Sequence, residues 1–76
     1  MTTPEYFISN EDKLGVINSH IRSIELNKYT HEIILIEQNA LGNRDQNAID
    51  RANSQIADAD AQLTALIDQK KAIESE

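Results

Sequence analysis

The sequence predicts an all-α protein: an antiparallel two-helix hairpin of the coiled-coil type that dimerises into a four-helix bundle. Three observations predict it. Residues 49–73 carry an unbroken heptad seam. A helix stop and a helix start fall side by side at Gly42 and Asn43. The run Ile33-Ile34-Leu35-Ile36 points four apolar side chains in four directions around one helix, more than a single partner helix covers.

Residues 1–8 read as a lead-in segment and residues 9–76 as the hairpin. In the lead-in, Thr3-Pro4-Glu5 suits the start of a short helical turn, with proline at the first helical position. Tyr6, Phe7 and Ile8 follow as three consecutive apolar side chains. They either fold back on the end of the bundle or dock to another protein. The first helix is expected over about 9–41. Ser9-Asn10-Glu11-Asp12 spells a capping box, in which the serine hydroxyl and the aspartate carboxylate each satisfy a free backbone N–H of the first turn.

Gly42 stands where a left-handed residue would end the first helix. Asn43 and Gln46 form a second capping signal. A turn at about 42–43 and a second helix over about 44–74 follow. Two helices of ~30 residues, ~45 Å each at 1.5 Å rise, joined by so short a loop must run antiparallel.

The second helix has one apolar side. Ile49, Ala52, Ile56, Ala59, Leu63, Leu66, Lys70 and Ile73 alternate in steps of three and four. The first helix has two candidate seams. One runs Leu14, Ile17, Ile21, Ile24 and regains Leu35 only after Lys28 and His31. The other runs Leu26, Tyr29, Ile33, Ile36 and Ala40. With a turn at 42–43, residues whose numbers sum to about 85 lie opposite one another. The second seam then closes the hairpin: Leu26, Tyr29, Ile33 and Ile36 against Ile49, Ala52, Ile56 and Ala59, with Leu63 and Leu66 continuing it. That leaves Leu14, Ile17, Ile21, Ile24, Ile34 and Leu35 for a subunit interface. A two-fold dimer with the first helices inside covers them.

Size supports association. A chain of 76 residues is at most one domain, and its own core is small. It contains no cysteine, so disulfides and thiolate metal sites are excluded. Lys70 in the second helix, and Lys28 and His31 in the first, interrupt apolar stripes in the way that selects register or oligomeric state.

The same residues exclude several functions. Net charge is −6, from 13 acidic and 7 basic residues, and Lys70-Lys71 is the one adjacent basic pair. Such a chain repels phosphate backbones and anionic membranes. No apolar run approaches a membrane span, and Met1-Thr2-Thr3-Pro4-Glu5 lacks the basic start of a signal peptide. The cytoplasm is the expected compartment, that of the host if the chain is a viral accessory protein. His20 and His31 are eleven residues apart, too far along a helix to share an ion. No Glu precedes either histidine by three residues, as a di-iron bundle requires. No nucleophile–base arrangement or glycine-rich phosphate loop is present. We therefore expect no catalytic, metal or cofactor residues.

The expected function is a small non-enzymatic oligomerisation or protein-interaction module whose first partner is itself. Two alternatives have a structural basis. A dimer of helical hairpins resembles, in architecture alone, a plasmid RNA-binding repressor, which implies a nucleic-acid-binding regulator. A helical bundle can also hold a metal, which implies a metal-binding protein.

Overall fold

The computed structural model of the chain describes residues 8–75. Two helices form the fold, α1 (Asn10–Asn39) and α2 (Gln46–Glu74), and they pack against each other as a hairpin. Each helix is about 45 Å long at 1.5 Å rise per residue, so the paired helices form a rod.

Local chemistry explains the helix ends. At the start of α1 the Ser9 hydroxyl accepts from the Asp12 N–H at 3.0 Å, and the Ser9 N–H donates to the Asp12 carboxylate at 3.4 Å. Both halves of the expected capping box are present. Glu11 and Asp12 add negative charge at the positive end of the helix dipole.

The connection between the helices differs from the expected two-residue turn. α1 ends at Asn39 and is capped by Ala40 in ordinary helical conformation, φ −79° and ψ −15°. Gly42 does not adopt a left-handed conformation, so no glycine cap ends the helix. The second helix is capped by Asp45 rather than Asn43. The Asp45 carboxylate accepts from the N–H groups of Asn47 at 3.0 Å and Ala48 at 3.3 Å. Both residues are competent caps, but aspartate brings a full negative charge to the helix N-terminus. The Asp45 N–H is in turn held by the side-chain oxygen of Gln38 at 2.9 Å. This bond ties the last turn of α1 to the N-cap of α2 across the connection.

The hairpin also closes on a different face of α1. Leu14, Ile17, Ile21, Ile24, Lys28, His31, Leu35 and Gln38 are all half-buried, and they form one continuous heptad seam. Leu26, Tyr29 and Ile36, expected against α2, are exposed. The Lys28 ammonium reaches the Asp60 carboxylate at 2.6 Å, which places the first of these faces toward α2. Leu14, Ile17, Ile21, Ile24 and Leu35, expected between subunits, are therefore occupied within the chain. Ile34 lies on the flank of the same face, in a groove of about 280 Å³ shared with His31, Ala48, Arg51, Ala52 and Gln55.

Register gives the physical reason. In antiparallel pairing near the Lys28–Asp60 level, Gln38 lies level with Ile49, Leu35 with Ala52, His31 with Ile56 and Lys28 with Ala59. Ile24 then meets the level of Leu63, Ile21 that of Leu66, Ile17 that of Lys70 and Leu14 that of Ile73. All eight seam positions of α2 are matched. The competing seam of α1 offers five positions and would leave Leu63 to Ile73 facing polar side chains. Longer apolar contact decides the outcome, because burial stabilises in proportion to area.

The core is thin. Ala52 and Ala59 are 2 % exposed and Ile73 is 5 % exposed, and among the described residues no other side chain is buried. Alanine at successive positions lets α1 approach the loop half of α2 closely.

Candidate interaction surface

The polar residues that α1 contributes to the hairpin seam each have a partner. Lys28 lies level with Ala59 and carries its charge outward to Asp60. That hydrogen bond, with the nearby charges of Asp60 and Glu32, holds the lysine above its ordinary pKa despite some desolvation. The side chains are 30 % and 54 % exposed, so solvent screens the pair and it fixes register more than it stabilises. The His31 Nδ1 lies 2.8 Å from the Asn27 carbonyl oxygen, which requires that nitrogen to carry the proton and donate. Gln38 is held at Asp45. Three polar interruptions are thus accommodated within one chain, without a second subunit.

What the hairpin leaves uncovered is the opposite side of α1. Leu26 is 51 % exposed, Tyr29 60 % and Ile36 62 %. Ile33 is half-buried between them and Ala40 is exposed one turn beyond Ile36. At positions 26, 29, 33, 36 and 40 these residues repeat the three-four spacing of a coiled-coil seam over two heptads. Leu41, at 50 % exposure, extends the apolar surface into the connection. The stripe is confined to the loop half of α1. Toward the N-terminus the same side carries Arg22 and Ser19, both exposed.

Glutamates border the stripe. Glu25 and Glu32 precede Leu26 and Ile33 on one edge, with Asn39 before Ala40. Thr30 and Glu37 follow Tyr29 and Ile36 on the other edge. Thr30 uses its hydroxyl proton locally, donating to the Leu26 carbonyl at 3.0 Å.

Other parts of the surface carry less chemistry. Ile8 is exposed at the start of the described chain, and Tyr6 and Phe7 lie outside the described residues. The exposed side of α2 bears small and acidic residues such as Ala57, Asp58, Ala61 and Ala65, with Ile67 as an isolated apolar side chain. Among the described residues no group of three or more His, Cys, Asp and Glu side chains is placed to hold a metal ion. Nor is any helix of the described residues long and apolar enough to cross a membrane.

Sequence reasoning found both apolar seams of α1 but set against α2 the one whose Leu26, Tyr29 and Ile36 are exposed. The signal that separates them is pairing along the full length of α2, since only the seam through Lys28 and His31 meets all eight of its positions. In comparisons with protein families, curated proteins and solved structures, the chain matches none of them.

Proposed function

We propose that the chain is a non-enzymatic, self-associating helical hairpin. Two copies join through the outer stripe of α1 to make a four-helix layer with the two α1 helices at its centre. The observation that carries this reading is the stripe itself: Leu26, Tyr29, Ile33 and Ile36 in heptad spacing, half or more exposed apart from Ile33. The proposed interface is therefore the face that the hairpin does not use.

Magnitudes support association. Completing the burial of a large apolar side chain that is already half covered contributes about 1–1.5 kcal/mol. Leu26, Tyr29 and Ile36 from two copies then contribute about 6–9 kcal/mol. Association costs about 4–15 kcal/mol before such gains. The two are comparable, so the assembly depends on concentration and is not obligate. A standard interface takes about 800 Å² from each partner.

Sedimentation equilibrium across a concentration series tests the proposal. The chain should move from one-chain to two-chain mass as concentration rises. Ile36→Glu should hold it at one-chain mass with its helix content unchanged. A single-chain mass at every concentration for the native sequence would refute self-association.

A further inference from the structure

We propose that the second copy packs antiparallel on the outer stripe of α1, in the register that sets Ile33 of each chain against Ile36 of the other. This rests on the self-association reading and adds orientation and register to it.

Three arrangements bring the stripe of one copy onto that of another, and the charges along its edges separate them. In a parallel pair, the residue before a seam position on one helix faces the residue after a seam position on the other, five positions on. Glu32 then faces Glu37 of the second copy, and by symmetry the contact occurs twice. Antiparallel pairing with Ile33 against Tyr29 brings Glu32 to Glu32 at the two-fold axis. Both arrangements oppose carboxylates directly, in a molecule that already carries a net charge of −6.

The remaining antiparallel register opposes no like charges. Glu32 faces Asn39 of the second copy, and Glu37 faces Thr30. Glu25 comes level with Arg44, in the connection of the second copy, where it is exposed and available. The two-fold repeats each of these contacts.

Shape agrees with charge. In this register Tyr29 lies opposite Ala40 of the second copy, so the largest side chain of the stripe meets the smallest. Leu26 comes level with residues 41–43, where Leu41 is half exposed. The apolar extension into the connection thereby gains an occupant, and Ile33 and Ile36 fill the centre.

A single spin label measures the geometry, because the chain has no other thiol. Ser23 is exposed and lies off the stripe, so Ser23→Cys carries the label without touching the contact. Pulsed dipolar spectroscopy on the dimer should give a distance of about 35 Å in the proposed register, from 1.5 Å of rise per residue. Antiparallel pairing of Ile33 with Tyr29 would give about 24 Å, and a parallel dimer about 10 Å, the separation of two helix axes. Either shorter distance overturns the proposal and leaves self-association standing. A single-chain mass with no dipolar signal overturns both and leaves the stripe to a different protein. As a second measurement, Arg44→Glu should weaken the dimer about threefold to tenfold through two repelled pairs. Combining it with Glu25→Lys should restore the native affinity, and failure to restore it also counts against the register.

Discussion

Replacing Ile73 by alanine tests which face of α1 closes the hairpin. Ile73 is 5 % exposed and is the one large side chain among the buried core residues, level with Leu14 near the open end. Truncating a buried isoleucine costs about 2–5 kcal/mol. Its place in the last turn of α2 lets the site relax, so we take the low end, about 2 kcal/mol. A chain of this length has about 4–11 kcal/mol of total stability, so the loss is a large part of it. It corresponds to a fall in Tm of about 8–16 °C. The matched variant is Ile36→Ala. Ile36 is 62 % exposed, so at dilutions where the chain is monomeric its truncation should cost less than about 0.5 kcal/mol. Urea unfolding followed by circular dichroism reads both. At high protein concentration Ile36→Ala should become destabilising as well, because the dimer adds to apparent stability by mass action. An Ile36→Ala cost equal to that of Ile73→Ala in the dilute monomer would refute the packing face described above.

Further outcomes follow from the same contacts. Ser9→Ala removes the capping box and should cost about 1 kcal/mol in urea unfolding. Asp45→Ala should cost about as much or more, since it removes two hydrogen bonds to α2 and a charge at its N-terminus, while Asn43→Ala should be nearly silent. Doubling the six-residue connection, residues 40–45, should cost only about 0.6 kcal/mol of loop-closure entropy beyond the loss of the Gln38–Asp45 bond. The Lys28–Asp60 pair should show a pH dependence of one sign. Because the folded-state lysine pKa is raised, its contribution is fully present below the unfolded lysine pKa and is lost as pH rises through the folded value. Thermal unfolding across the alkaline range, compared with Lys28→Gln, should converge as pH rises through that folded value.

The residues differ in how openly they announce their roles. Ser9 and Asp12 are three apart and act only on each other, so their capping box is visible without any tertiary knowledge. The apolar residues of α2 gather on one side, so its seam has a single reading. Those of α1 are spread around the axis and leave no dominant face. Lys28, His31 and Gln38 make the correct seam look broken. Their partners are Asp60, the Asn27 carbonyl and the Asp45 N–H. Asp60 lies on the other helix and Asp45 at the end of the connection, so neither contact follows from the periodicity of α1.

The sequence by itself determined two long helices, an antiparallel hairpin, the packing side of α2 and the presence of two apolar stripes on α1. Each follows from short-range spacing, caps and helical period, which act within a few turns of chain. Only the tertiary structure decided which stripe of α1 faces inward. That choice compares two whole interfaces rather than two local patterns. Eight matched levels against α2, with the polar interruptions of α1 each given a partner, outweigh five more apolar ones. The stripe that lost is consequently the one left exposed, and it is the surface proposed for assembly.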